Sequence, residues 1–379
     1  MIYYIGISIN LFLLLILITK RRKSLADKIL AAWLFVMALH IGLFIASLQP
    51  VNVRSIHWIL GLIAPFPLIH GPFLYLYTAA STNMLPSRKR IWFLHFLPFL
   101  LTIVLLLPLY IKSGQEKLAI YMSGGEDYYL FNQILLLAIY VSGIAYIIAS
   151  FILLRKHRRN IGEQFSYEEK INLNWLRYLI IGLLVLWLII IVLKKNSIVF
   201  SAAAVFVTLI GYLGIRQRGI FGMNEPERIP ETSKPIDSIT EVEVLPETEL
   251  PRKKYANSGL NPELALQIHT KLVTAMEREK LFTEPELSLA MLAGKLDVHP
   301  NYLSQVINEK EGKSFFDYIN TLRVEEFKRL AALPESSQFT LLSLAFDCGF
   351  NSKSAFNKNF KKVTGQSPSA YYARPEGDH

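Results

Sequence analysis

Seven apolar runs, each near the length that crosses a bilayer, crowd into the first 215 residues: about 2–19, 29–48, 56–80, 91–111, 130–154, 175–193 and 197–215. Lipid offers no partner for a backbone N–H or C=O, so such runs must be helices that satisfy their own backbones. The first, IYYIGISINLFLLLILIT, carries no charge. It lacks a basic start and a small-residue cleavage site, and is expected to remain as a span rather than to be removed as a signal. The sixth and seventh are separated only by Lys194, Lys195 and Asn196.

Lys and Arg in the connections orient the stack. Loops one, three and five and the stretch after the seventh run carry 15 of them, from Lys20 to Arg218. The opposite side carries 5: Arg54, Lys112, Lys117, Lys194 and Lys195. Positive residues stay inside, so the amino terminus is expected outside and the carboxyl terminus in the cytoplasm. An odd number of spans requires opposite ends, in agreement.

The net charge of +10 therefore does not mark a nucleic-acid partner by itself. Residues 1–221 hold 21 Lys+Arg against 7 Asp+Glu, and residues 258–379 hold 14 against 15. Between them, residues 222–257 are Glu-rich and punctuated by Pro226, Pro230, Pro235, Pro246 and Pro251. Such a stretch cannot bury a core and reads as a disordered cytoplasmic linker. The domains expected are thus a membrane region over 1–221, a linker over 222–257 and a cytoplasmic domain over 258–379.

Polar groups inside the runs are few, and ionisable ones are expensive there. His40 and His70 are the candidate sensor residues, with Tyr75 nearby in APFPLIHGPFLYLYT. Pro65, Pro67 and Pro72 remove backbone donors from that third run and should kink or break it, which suits either a ligand pocket or plain packing. Each histidine equally suits a bond between helices, and Tyr75 an aromatic belt. No HExxH, paired acids or nucleophile motif occurs in the runs, and no Asp or Glu. Nothing marks a metal or a cofactor, and no enzyme is expected. The single cysteine, Cys348, excludes an internal disulfide and reads as a small packing residue.

The cytoplasmic domain contains a repeat. LAGKLDVHPNYLSQVINEKEGKSFFDYI aligns with LAFDCGFNSKSAFNKNFKKVTGQSPSAYY, placing Leu303 on Phe356, Ile307 on Phe360, Gly312 on Gly365, Ser314 on Ser367 and Tyr318 on Tyr371. Each copy reads as a helix, a tight turn and a second helix. An earlier helix should start at Asn261-Pro262, a good cap and first residue. Asp297 and Gly349 fall where the two turns want a left-handed residue.

In each second helix the i, i+4 apolar pair faces inward. That turns Asn301, Ser304 and Gln305 outward in the first, and Lys353, Ser354, Asn357, Lys358 and Lys361 in the second. Amides and hydroxyls near a helix start can read base edges, and lysine can reach guanine or phosphate. A solvated polar face is the alternative for one helix alone; a tandem pair favours double-stranded DNA.

These stretches, with GKSFFDYINTLRV and its Arg323 between them, resemble the AraC/XylS-type DNA-binding domain over about residues 260–373. The resemblance implies two recognition helices entering successive major grooves on one DNA face. Phe327 departs from a common alanine, and Tyr372 from a common arginine, which removes one expected phosphate contact. The sugar-binding barrel of many relatives is absent, so sugar sensing does not carry over. The chain looks instead like membrane-anchored variants of the family.

The fold expected is all-α: a polytopic bundle of about seven spans followed by a tandem helix-turn-helix domain. The function implied is transcription regulation from the cytoplasmic membrane of a bacterium, with DNA, the bilayer and an unknown small ligand or membrane signal as partners, and homodimerisation as one route to pairing tails. A transporter-like or purely tethering membrane region fused to the same tail is the alternative.

Overall fold

The computed structural model describes residues 2–48, 60–167, 173–193, 196–216 and 260–372. The linker expected over 222–257, Arg54, Lys170, Lys194 and Lys195 lie outside the described residues. The described residues are helical and contain no strand, apart from one isolated bridge. They form two compact units. One runs to Lys156 and resumes at Leu173; the other joins the segment that begins at His157 to the C-terminal domain.

In the first unit, helix Ile2–Thr19 is followed by helix Leu25–Ser47. The second helix starts before the apolar run because Ser24 and Asp27 form a reciprocal capping box. Lys20 also reaches Asp27, Nζ to Oδ2 2.9 Å, which brings a charged turn into the bundle. The third run does not become one long span. Pro67 opens helix Pro67–Ser81, only 15 residues, with Pro72 inside it. The fourth is also broken, into Lys89–Leu94 and Leu97–Tyr110, where Pro98 starts the second piece.

The connection between the fourth and fifth runs is largely helix Gly114–Met122, started by a Ser113–Glu116 capping box and bent 107° from Leu97–Tyr110. Helix Tyr129–Gln164 has 36 residues, ten beyond the apolar run that predicted it, and is ~54 Å long at 1.5 Å per residue. Helices Asn174–Leu193 and Asn196–Arg216 follow. Among the described residues four helices are long and apolar enough to cross a membrane, or five if the bent pair counts as one span, against the seven runs in the sequence.

Close contacts hold this unit together. Gly143 lies flat against the Trp187 indole, and a Cβ there would sit 2.3 Å from the ring. Trp175 Nε1 donates to Tyr77 Oη at 3.0 Å, a bond between two buried side chains.

The C-terminal unit opens on helix Pro262–Arg278, with the Asn261 side chain capping the Leu264 N–H at 2.7 Å as its sequence suggests. Scaffold helix Leu289–Leu296 and recognition helix Pro300–Lys310 form the first half; Leu341–Asp347 and Lys353–Thr364 form the second. Connecting helix Phe315–Ala331 joins them, and Pro368–Tyr371 closes the unit.

There are two cores. Ile268, Leu292, Leu303 and Ile307 anchor the first, and Leu344, Phe350, Phe356 and Phe360 the second. The connecting helix feeds both, giving Phe315 and Ile319 to one and Val324 and Phe327 to the other. Phe327 fills the space among Phe356, Phe360 and Tyr372.

Candidate nucleic-acid interface

Each turn is built by the residue that its backbone requires. Asp297 adopts φ 52° and ψ 54°, a conformation that aspartate tolerates better than most side chains. Gly349 takes φ 92°, and a Cβ there would lie 2.5 Å from the carbonyl oxygen of Thr283. The repeat survives in three dimensions. Leu303, Ile307, Phe356 and Phe360 are all buried, and Ser314 and Ser367 each cap the helix that follows. The last pair diverges, since Tyr318 is buried and Tyr371 is exposed.

The expected DNA-facing residues divide into two groups. Lys353, Ser354, Asn357, Lys358 and Lys361 are all exposed on the second recognition helix, and Asn301 is exposed at the start of the first. Ser304 is half-buried, beside Asn308, whose amide donates to the Ser304 carbonyl at 2.8 Å. Gln305 departs from the expectation. It is 6 % exposed and donates to Glu309 Oε1 at 2.9 Å. The i, i+4 pair Leu303 and Ile307 gave too narrow an estimate of the inward face; Val306 is fully buried too, and the core stripe widens over Gln305.

Charge is arranged in favour of an anion. From Phe339 to Arg374 the chain has five Lys+Arg and one acid, Asp347. Lys362 is drawn off to Asp317 at 2.6 Å, while Lys353, Lys358 and Lys361 stand on the exposed face of the helix.

The scaffold beneath is polar at one point. Arg323 is 1 % exposed and donates from Nε to the Phe282 carbonyl at 2.7 Å and from Nη2 to the Glu284 carbonyl at 2.6 Å. Burial lowers its pKa to about 10, still well into the charged range at neutral pH. Burial also raises the Cys348 thiol to about 12, so it stays protonated and inert, in keeping with a packing role. Burial raises Tyr318 in the same way.

In the first unit the structure brings two of the three candidate sensor residues together. His40 Nδ1 lies 3.0 Å from His70 Nε2, and Trp33 Nε1 donates to His70 Nδ1 at 3.1 Å. All three border a cavity of about 480 Å³ whose other walls are mainly apolar, including Phe44, Trp187 and Phe200. Tyr75 is not part of it; it packs beside His95 and Tyr146 instead. Sequence reasoning missed Trp33, although Trp33, Met37 and His40 share one helix face at i, i+4, i+7.

Comparison with known proteins bears on the C-terminal half alone. Residues 292–374 match the family model described as "Helix-turn-helix domain". An uncharacterised HTH-type transcriptional regulator, YobQ of Bacillus subtilis (strain 168), is 35% identical over 106 residues, which is 28% of this chain and 42% of that protein. The chain thus matches less than half of that relative's length. No solved structure matches the chain. The carboxyl-terminal part of this chain is a helix-turn-helix domain of the AraC type.

Proposed function

We propose that this protein is a membrane-anchored, sequence-specific DNA-binding transcription regulator that couples a membrane or extracytoplasmic signal to gene expression. The observation that carries the reading is the pair of recognition helices on one scaffold, with Asn301 and Ser304 on the first and Lys353, Ser354, Asn357, Lys358 and Lys361 on the second. Amides and hydroxyls read base edges, and the lysines hold phosphate. The matches to a helix-turn-helix family and to a transcriptional regulator support it.

The apolar helices support anchoring in the cytoplasmic membrane of a bacterium, and the seven apolar runs with their flanking Lys and Arg support about seven spans over 1–221 with the domain 258–379 in the cytoplasm. The membrane region is a sensor in this reading, and its site is the cavity beside His40 and His70. The ligand it suits is small and largely apolar, with one polar group to meet an imidazole. Ligand-dependent packing or homodimerisation of the spans would raise the local concentration of paired tails.

The test is binding of the full-length protein, in lipid nanodiscs, to the DNA upstream of its own gene and to a scrambled duplex at two salt concentrations. Tighter, salt-sensitive binding to the upstream DNA is expected. Equal affinity for both duplexes at both salts would remove sequence-specific regulation of that gene. A truncation lacking 1–221 that regulates identically and still responds to the signal would leave the membrane region as a tether.

A further inference from the structure

The C-terminal unit contains a piece of chain that hydropathy places between two membrane runs. From His157 onward that piece clusters with the helix-turn-helix domain. Its contacts centre on Ser166, which is 1 % exposed. The Ser166 N–H donates to the Leu287 carbonyl at 3.1 Å, and its hydroxyl donates to the same oxygen at 2.7 Å. The Ser166 carbonyl accepts from Asn320 Nδ2 at 2.9 Å and from Arg323 Nη1 at 3.3 Å. Its hydroxyl oxygen accepts from Arg323 Nη2 at 3.2 Å. Next to it, Phe165 pairs with Ser288 in an antiparallel bridge.

Every polar atom of Ser166 is engaged, and the groups that engage it are themselves buried. Asn320 is 3 % exposed, and Arg323 sits deeper still. A buried guanidinium needs acceptors, because each unmatched donor in a low-dielectric site costs more than a hydrogen bond returns. Without Ser166, Arg323 keeps the Phe282 and Glu284 carbonyls and Asn320 Oδ1 but loses two acceptors, and Asn320 Nδ2 keeps only the Phe316 carbonyl. The domain therefore offers a socket that the serine just past the end of helix Tyr129–Gln164 fills.

The socket adjoins the DNA-facing surface. Ser166 and Tyr167 line one side of a cavity of about 110 Å³, and Ser354 and Lys358 of the second recognition helix line the other. Those two residues are among the candidates for DNA contact. Lys358 also places its Nζ 5.7 Å from the centre of the Phe316 ring, on the helix that carries the socket.

We propose that residues 161–167 dock into the Arg323–Asn320 socket of their own chain and compete with DNA for the Ser354–Lys358 side of the second recognition helix. The competition rests on the DNA-binding reading above; the docking does not. A signal that withdraws this segment would release the helix, so the connection between two spans would itself act as the repressing element.

The test uses the full-length protein in nanodiscs with Phe165→Cys and Ser288→Cys introduced together and a protease site inserted between residues 222 and 257. The bridge brings the two positions to disulfide range, and buried Cys348 stays out of the reaction. Mild oxidation is expected to link the two positions within one chain, so that cleavage leaves the fragments joined until reduction. Saturation with a random-sequence duplex should slow that linkage.

In the otherwise native chain, Ser166→Arg sets a second guanidinium against Arg323. It should tighten duplex binding by roughly tenfold if about nine-tenths of the tails are docked, while Ser166→Ala, which keeps the backbone bonds, should give a smaller gain. A link between two chains, or none, overturns the docking. An intrachain link with Ser166→Arg leaving duplex affinity unchanged overturns the competition. No duplex binding by any form overturns the DNA reading, and an intrachain link in the same preparation still upholds the docking.

Discussion

His70 receives the indole N–H of Trp33 on Nδ1 and faces Nδ1 of His40 with Nε2. Indole nitrogen can only donate, so His70 Nδ1 must be the acceptor. The hydrogen of His70 then sits on Nε2 and is donated to His40, whose own hydrogen is left on Nε2. The relay Trp33–His70–His40 has one direction, and it ends in a donor beside the cavity. A ligand that completes it supplies an acceptor, such as a carbonyl or carboxylate. Selective ¹⁵N-histidine spectra of the protein in nanodiscs should show both rings as the Nε2–H tautomer, and Trp33→Phe should release His70 from that state. An Nδ1–H tautomer at His70 in the native chain would break the relay.

On the second recognition helix, position and specificity should separate. Lys361→Ala is expected to weaken binding to all duplexes alike and to reduce the salt slope by about 1. Asn357→Ala should cost roughly 1–3 kcal/mol on the preferred site and little on a scrambled one. Gln305, buried against Glu309, belongs to neither class. Gln305→Ala should lower the melting temperature of the domain and leave base preference intact, as competition binding with variant duplexes would show.

Glu326 gives the domain an acid-sensitive tie. Its carboxylate takes both the Arg329 guanidinium, at 2.8 Å, and Lys280, at 2.7 Å. The Arg329 bond, helped by Lys280, lowers its pKa to about 2. A depressed carboxylate stabilises the fold above its unfolded pKa near 4.5 and loses that contribution as pH falls toward 2. Because Lys280 and Arg329 are about half exposed, the contribution at neutral pH is about 1–2 kcal/mol. Hydrogen exchange of helix Phe315–Ala331 should accelerate across that window in the native chain, and Glu326→Gln should flatten the change.

Gly349 should tolerate no side chain. Gly349→Ala meets a left-handed backbone and the Thr283 carbonyl together, and is expected to cost ~2–4 kcal/mol. Loss of the second core would register as rapid exchange in helix Lys353–Thr364, and an unchanged melting curve would refute the turn assignment.

Local signals carried most of the tail. A cap at Asn261, a left-handed aspartate at 297, a glycine at 349 and apolar pairs at i, i+4 are all written within a few residues of where they act, and the helices follow them. The apolar runs were legible in the sequence, but the helix breaks inside them were less so. Pro67 and Pro98 start helices inside the third and fourth runs, where hydropathy averages across the break. The pieces of the site that were not legible are long-range. His40 meets His70 across 30 positions, and Arg323 meets Ser166 across 157. Nothing near Ser166 in the sequence announces a partner so far along the chain. Gln305 failed for a different reason: two apolar residues define a stripe, but not its width.

The connecting helix Phe315–Ala331 lends side chains to both cores, so the two recognition helices cannot slide or swivel independently without opening one of them. A fixed ruler of this kind demands a matching phase in the DNA. Two contact sites set one helical turn apart, about 10.5 base pairs, would face the protein together. An insertion of half a turn would carry the second site to the far side of the duplex, and it would be lost even with its sequence intact.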